Sequence, residues 1–127
     1  LLRRSELDAQ LREIAILRVG MISGASYEVH QHKRLARKAG LAPEKIAALT
    51  EAGSDLGVFD ERERFVIHFT DQVVHHVKVN DQMFAQAQSR FNERQLAELV
   101  LTIGFYMMVS RFLENYEVDI EPAGAID

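Results

Sequence analysis

The last long apolar segment of the sequence, from Glu93 to about Glu114, constrains the fold more than any other feature. It predicts one helix that begins after Asn92, a favoured N-cap residue, and that is apolar around much of its circumference. The apolar residues are Leu96, Leu99, Val100, Ile103, Phe105, Tyr106, Met107, Met108, Val109, Phe112 and Leu113. A helix of this kind must be covered on most sides. Because a small bundle covers only part of it, we expect burial against another subunit and predict a homo-oligomer.

Helix-start and helix-stop signals divide the rest of the sequence into five further helices, and strand signals are nearly absent. Asp8 and Asp60 stand at N-cap positions, and Glu63 completes a capping box with Asp60. Pro43 occupies a favoured first helical position, and Gly40 is a typical helix stop. The predicted helices cover residues 9–22, 26–39, 43–51, 60–77, 80–89 and 93–114. The sequence therefore predicts an all-α, six-helix bundle in one domain, 1–127, with 117–127 as a tail over the surface.

The composition excludes several classes of function. Without a cysteine the chain has no thiol nucleophile, disulfide, thiolate metal site or iron–sulfur cluster. Its 15 basic and 19 acidic residues give a net charge of −4, which argues against a nucleic-acid partner because phosphate binding needs a basic surface. No pair of histidines joins a carboxylate at a spacing typical of metal ligands, so we expect no metal.

The sequence also carries expectations about location. The chain opens without the pattern of a signal peptide. Its longest apolar run, 99–109, is interrupted by Thr102 and Gly104 and is shorter than the roughly 20 residues of a membrane helix. We therefore expect a cytoplasmic protein without a membrane partner.

The second predicted helix places two ionisable residues on its inward face. Residues three and four apart share a helix face, which gives a stripe of Ala25, Glu28, His32, Leu35, Ala36 and Ala39. His30 points to the opposite, solvated face. Burial raises the pKa of a glutamate such as Glu28, whereas a neighbouring imidazolium at His32 opposes that rise. Two interpretations fit: a structural pair that locks the helix in the bundle, or an acid–base pair beside a cleft.

Two further charged residues stand in apolar surroundings. Glu13 lies inside the apolar run 11–17, where it either forms an ion pair with a neighbouring arginine or serves the same acid–base site. Arg111 interrupts the last helix. Its planar guanidinium suits a carboxylate, so it neutralises a buried glutamate, grips an acidic ligand or contacts another subunit.

Four segments together resemble the carboxymuconolactone decarboxylase family, which includes the alkylhydroperoxidase D-like proteins. They are REIAILRV at 12–19, YEVHQH at 27–32, LARKAGL at 35–41 and GFYMMVSRFL at 104–113. The resemblance implies a six-helix alkylhydroperoxidase D-like bundle that assembles as a homotrimer or a homohexamer. In the peroxidase branch of the family, Glu13 and His32 match motif residues, but the two cysteine positions fall on Ala25 and Glu28. The resemblance therefore implies a member without the thiol–disulfide relay that reduces peroxides.

The decarboxylase branch resembles this chain in its Glu-x-x-x-His motif, which Glu28 and His32 reproduce. The resemblance implies a lyase of aromatic catabolism that acts on a small carboxylated lactone without metal or organic cofactor. His32 is then the leading acid–base residue, Glu28 orients or polarises it, and Glu13 completes the relay. Tyr27 and Arg111 are the expected substrate-binding residues. Loss of CO₂ beside an unsaturated lactone leaves a dienolate, which needs charge stabilisation and a proton on carbon.

Two other functions remain open. In the first alternative, the chain is a peroxidase-family relative that has lost thiol chemistry and serves as a binding or assembly protein. In the second, it is a different proton-transfer enzyme, such as an isomerase or hydrolase, on the same scaffold. The enzyme hypotheses require Glu28 and His32 to face a ligand-sized cleft, whereas the assembly hypothesis expects the pair to be sealed in packing.

Overall fold

The computed structural model describes residues 5–119, and all of the predicted helices are present in that range. They are α1 (Ala9–Ser23), α2 (Ser26–Lys38), α3 (Pro43–Thr50), α4 (Glu61–His76), α5 (Asp81–Arg90) and α6 (Glu93–Asn115). A short 3-10 turn, Leu56–Val58, connects α3 to α4, and the described part of the chain contains no strand. Each helix end lies within one residue of its predicted place. Of the predicted tail, 117–119 is exposed and the remainder lies outside the described residues.

The predicted caps account for these helix starts. The side chain of Asp8 accepts a hydrogen bond from the backbone N–H of Leu11 at 3.1 Å. In the capping box at α4, the Glu63 N–H donates to Asp60 at 2.8 Å and the Asp60 N–H donates to Glu63 at 2.9 Å. Asn92 forms the same reciprocal box at the start of α6. Side-chain oxygens thus satisfy backbone N–H groups that have no partner inside the helix.

Helix α1 is the centre of the bundle and packs against α2, α3, α4 and α6. Gly20 permits a close approach of α2, because a Cβ at this residue would lie 2.8 Å from Cγ2 of Val29. Gly24 ends α1 in the left-handed conformation, at φ 64°, and the chain turns directly into α2. This tight helical hairpin brings one face of α2 against the central helix.

Helix α6 has one packed face and one open face. Its buried residues, including Leu99, Ile103 and Ser110, lie on the side that faces α1, α2 and α4. Over its most apolar 18 residues the mean hydropathy is 1.6, so length and composition alone would allow this helix to cross a membrane. The apolar run 99–109 is shorter and so did not predict an apolar window of this length. Thr102 and Gly104 lower the hydropathy locally but do not end the helix. Only 28% of that window is buried inside the chain.

Candidate active site

Five polar side chains come together where α1, α2 and α6 meet. Glu13 comes from α1, Glu28 and His32 from α2, and Tyr106 and Ser110 from α6. All are buried except the half-buried Tyr106. Polar groups at such a depth require hydrogen-bond partners, so each contact in this cluster has energetic weight.

The shortest link between two ionisable groups in the cluster joins His32 to Glu13. Nδ1 of His32 lies 2.7 Å from Oε1 of Glu13, and both side chains are buried. The carboxylate accepts a hydrogen bond from Nδ1–H, so the second ring nitrogen, Nε2, is the one that exchanges a proton with another group. Nε of Arg12 lies 3.9 Å from the other oxygen of Glu13 and adds positive charge on that side. An imidazole oriented by a carboxylate is a recurring arrangement of general acids and bases.

Glu28 has different surroundings from Glu13. Its Oε2 lies 2.6 Å from Oγ of Ser110, and that Oγ also lies 2.7 Å from the backbone carbonyl oxygen of Tyr106. Its Oε1 is buried, and none of the residues in 5–119 forms a hydrogen bond with it. Burial raises the pKa of Glu28, while the Ser110 hydroxyl and the charge of His32 act in the opposite direction. Burial outweighs both; the sequence predicted that burial and His32 act in opposite directions but not which effect is larger.

The geometry differs from the expected direct pairing of Glu28 with His32. Both residues lie on the buried face of α2, but the hydrogen-bond partner of His32 is Glu13, and Glu28 is bonded to Ser110. The buried stripe is also narrower than predicted, since Leu35 is 38% exposed. Helix α2 packs against α1, α3 and α6, and this packing leaves Leu35 partly uncovered. His30 is exposed, as expected.

Tyr106 and Ser110 were not singled out from the sequence. The Tyr106 ring meets the His32 ring edge-on, with centroids 5.0 Å apart and planes at 80°. Burial, and then the nearby Glu13 and Glu28, raise the pKa of Tyr106, so its hydroxyl stays protonated at neutral pH. Both residues sit in the most apolar helix, where Tyr106 counted as a core residue. One sequence signal could have identified them: Ser110 follows Tyr106 by four residues, so the two share a helix face, and this face of an apolar helix had to be buried.

The two expected substrate-binding residues lie outside this cluster. Tyr27 is half-buried, and its hydroxyl accepts a hydrogen bond from Nε2 of Gln31 at 2.9 Å. Arg111 is exposed and donates to the backbone carbonyl of Met107 at 2.8 Å, one turn earlier on its own helix. Arg111 follows the buried Ser110 by one residue, so its side chain points about 100° away from that of Ser110. This places Arg111 on the exposed side of α6. Its use for substrate stays a prediction.

The larger cavities lie away from the buried cluster. Two cavities, of about 870 and 580 Å³, lie beside α5 and α6 and share Phe84, Gln88 and Val100 in their walls. A third, of about 430 Å³, is lined by residues at the turn from α1 to α2, and a fourth, of about 160 Å³, adjoins α3. None of these four has Glu13, Glu28 or His32 in its wall, and His32 is 8% exposed. In the single chain, therefore, none of these cavities is the ligand-sized cleft that the enzyme hypotheses require.

A model of the carboxymuconolactone decarboxylase family matches residues 1–71, a range that includes Glu13, Glu28 and His32. Among curated proteins, the uncharacterized protein YdfG of Bacillus subtilis (strain 168) is 22% identical over 103 residues. The matched residues are 80% of this chain and 69% of YdfG.

Two crystal structures have a similar fold, each with a TM-score of 0.81. One is a protein of unknown function from Agrobacterium tumefaciens, described as an antioxidant defence protein of the AhpD type, with 19% identity over 92% of this chain and 81% of that one. The other is an uncharacterized peroxidase-related protein from Silicibacter sp. TM1040, with 20% identity. That match covers 98% of this chain but 64% of the longer Silicibacter protein. These likenesses confirm the predicted alkylhydroperoxidase D-like fold.

Proposed function

This chain belongs to the carboxymuconolactone decarboxylase family, and on that premise we propose that it is a cofactor-free lyase of the cytoplasm. Its substrate would be a small carboxylated lactone of the kind formed in aromatic catabolism, and 4-carboxymuconolactone is the first candidate. The observation that carries the proposal is the buried hydrogen bond of 2.7 Å between Glu13 and His32, with Glu28 on the same helix face as His32. This is an acid–base unit in a chain that has no cysteine for peroxide chemistry.

In the proposed reaction the bond between the ring carbon and the substrate carboxylate breaks. Its electron pair enters the ring in conjugation with the lactone carbonyl, CO₂ leaves, and the resulting dienolate takes one proton on carbon. His32, oriented by Glu13, acts as the general acid: it stabilises the negative charge of the dienolate and delivers the proton from Nε2. Solvent then restores the proton of His32. The Tyr106 ring meets the same imidazole edge-on.

We place the entrance to this site at the edge of a subunit interface. The exposed apolar residues Leu101, Phe105, Met108 and Phe112, here called the α6 strip, are 39–58% exposed. Their spacing of four, three and four residues is typical of a helix that packs along another helix. The strip offers on the order of 400 Å² of apolar surface per copy, about half of one side of a standard interface. The rings of Phe105 and Tyr106 meet edge-on, with centroids 5.1 Å apart. A partner that packs on the strip would therefore lie next to the Tyr106 ring, which contacts His32.

Gly104 supports a second copy as the occupant of the α6 strip. It lies in the middle of α6 beside Phe105, and a Cβ at this residue would meet nothing within 4 Å. Glycine inside an exposed helix costs about 1 kcal/mol relative to alanine, and no residue in 5–119 approaches closely enough to require it there. Close approach of another helix gives it a role. We therefore propose a homo-oligomer through α6, and the family resemblance implies a trimer or a hexamer.

The assembly is tested by Met108→Asp, with Val58→Asp as the matched control because Val58 is 46% exposed and lies outside the strip. Light scattering after size-exclusion chromatography gives the mass of each variant. We expect Met108→Asp to yield monomers at micromolar concentration, since it places a charge at the centre of an apolar contact. We expect Val58→Asp to assemble like the wild type. A monomeric wild type, or an unaffected Met108→Asp, would contradict the α6 interface.

The closed cluster favours one alternative function. Because the four cavities described above do not reach Glu28 or His32, the cluster also suits a binding or assembly protein in which these residues only hold α1, α2 and α6 together. Other proton-transfer reactions on the same scaffold require the same opening as the lyase and are separated from it by substrate alone.

The lyase is tested by the loss of 4-carboxymuconolactone, followed by ultraviolet absorbance. We compare the wild type with His32→Ala, Glu13→Gln and Glu28→Gln, and we use His30→Ala as the control because His30 is exposed on the other side of the same helix. We expect at least a hundredfold loss of kcat in His32→Ala, in line with a lost general acid, and unchanged turnover in His30→Ala. Absence of turnover in the wild type would refute this substrate. Turnover that survives His32→Ala would refute the site.

A further inference from the structure

We propose that Glu28 is a neutral carboxylic acid at neutral pH, and that Ser110 is the positioning residue whose Oγ accepts the hydrogen bond of that acid. The two carboxyl groups of the cluster then differ: Glu13 is bonded to His32, whereas Glu28 carries a proton and is bonded to Ser110. Nothing in the sequence motif distinguishes the two glutamates in this way, because the distinction depends on α6.

The first argument is a count of hydrogens at Ser110. Its hydroxyl has one hydrogen, yet Oγ lies 2.6 Å from Oε2 of Glu28 and 2.7 Å from the carbonyl oxygen of Tyr106. A backbone carbonyl only accepts, and an ionised carboxylate only accepts. With an ionised Glu28, the single hydrogen would have to serve two acceptors. With a neutral Glu28, the carboxyl O–H donates to Oγ, and the Ser110 O–H donates to the carbonyl, so both short distances are normal hydrogen bonds.

The second argument concerns the other oxygen of Glu28. Oε1 is buried, and no described residue donates a hydrogen bond to it. An ionised carboxylate shares its charge over both oxygens, so a buried oxygen without a donor is costly. In the neutral acid Oε1 is a carbonyl oxygen, which tolerates a missing donor better. Glu28 is 2% exposed, so its carboxyl group is closed to bulk solvent.

The charged groups around Glu28 do not offset its burial. From α1 Glu13 and the guanidinium of Arg12 face the cluster, and these two side chains lie 3.9 Å apart. From α2 the imidazole of His32 is the group whose charge acts on Glu28, but its hydrogen bond of 2.7 Å is to Glu13. From α6 the Tyr106 ring adds no charge. Burial raises the pKa of Glu28 by more than the charge of His32 lowers it.

This inference gives the site a preference for anions, a consequence that rests on the proposed function. With Glu28 neutral, the cluster carries one negative charge fewer, and the guanidinium of Arg12 lies beside Glu13. An ionised Glu28 would add a negative charge that repels a substrate carboxylate. The protonation state of Glu28 itself is a property of the ligand-free protein and does not depend on any turnover.

The test is infrared spectroscopy of the ligand-free protein at pH 7, where the C=O stretch of a carboxylic acid is separate from carboxylate bands. We expect the wild type to have an acid band that Glu28→Gln removes and that Glu13→Gln, the matched control in the same cluster, retains. We expect Ser110→Ala to shift the band, because the acid loses its acceptor. An absent band, a band removed by Glu13→Gln alone, or a band unmoved in Ser110→Ala would each overturn the proposal.

A second measurement needs no variant and guards against a substitution that fails to fold. In protein labelled with ¹³C at glutamate, we expect one side-chain carboxyl carbon to keep the chemical shift of the acid at pH 7. If all glutamate signals have the carboxylate shift at that pH, the proposal is wrong. Either result stands whether or not the protein decarboxylates a lactone, so the failure of one proposal is distinguishable from the failure of the other.

Discussion

Replacement of Gly20 by alanine tests the close approach of α1 and α2 that carries Glu28 into the cluster. The new Cβ would lie 2.8 Å from Cγ2 of Val29 and 3.4 Å from Oε2 of Glu28. Overpacking of this kind costs about 1–3 kcal/mol. Alanine also gains about 1 kcal/mol over glycine inside a helix. We therefore expect Gly20→Ala to lower the free energy of unfolding by about 1 kcal/mol, the centre of the difference between these ranges.

The source of that loss is identified by a second substitution. Val29→Ala removes Cγ2, the atom in the clash, so the double variant should regain about 1–3 kcal/mol relative to the sum of the two single losses. Gly24→Ala is the matched control. Its φ of 64° strains any side chain, yet a Cβ there meets nothing within 4 Å. Its loss of about 1–2 kcal/mol comes from the backbone alone, and Val29→Ala should not restore it.

The assay is urea unfolding followed by circular dichroism at one fixed protein concentration, since assembly makes apparent stability depend on concentration. The reasoning is refuted if the losses of Gly20→Ala and Val29→Ala add within about 0.5 kcal/mol. It is also refuted if Val29→Ala rescues Gly24→Ala equally, because that result would mean a general relaxation of the α1–α2 hairpin rather than relief of one contact.

Three further results are expected. Glu98 accepts hydrogen bonds from the segment 5–7, which lower its pKa from 4.5 to about 2. The stabilising contribution of Glu98 is therefore present above pH 4.5 and is lost as the pH falls towards 2. Thermal unfolding of Glu98→Gln should lack that pH dependence. Val77 ends α4 at φ 66°, a strained conformation for a β-branched residue, and it is 88% exposed. Val77→Gly should therefore raise the free energy of unfolding by about 1 kcal/mol. A free energy of unfolding below that of the wild type would contradict this strain. Tyr106→Ala should speed the reaction of His32 with diethyl pyrocarbonate, read by mass spectrometry against the exposed His30; an unchanged ratio would mean that Tyr106 does not cover His32.

The helices were predictable from the sequence because their signals are local. Asp8, Asp60 and Asn92 each meet their own helix within three residues, and sequence spacing alone fixes such contacts. The inward face of α2 followed from the same short-range periodicity, which placed Glu28 and His32 correctly on the buried side.

The partners within the site were not predictable, because periodicity tells which face is buried but not what it meets. Glu13 reaches His32 across 19 residues of sequence, and Ser110 reaches Glu28 across 82. Both contacts depend on how α1 and α6 pack against α2. Spacing within α2 therefore favoured a pair of Glu28 with His32, which share a helix turn, whereas the bundle gives each residue a partner from a different helix.

The two faces of α6 connect the closed cluster to the open apolar strip. On the inner face, Ser110 fixes Glu28, and Tyr106 lies against His32; on the outer face, Phe105 belongs to the α6 strip and contacts the Tyr106 ring at 5.1 Å. A second copy that packs on Phe105, as we propose, would therefore also restrict the Tyr106 ring beside His32. Under the proposed assembly, access to the acid–base unit is therefore set at the interface, and the single chain is closed because the element that shapes its entrance belongs to another copy. A binding or assembly protein needs only the outer face of α6, whereas a lyase needs both faces coupled through adjacent residues.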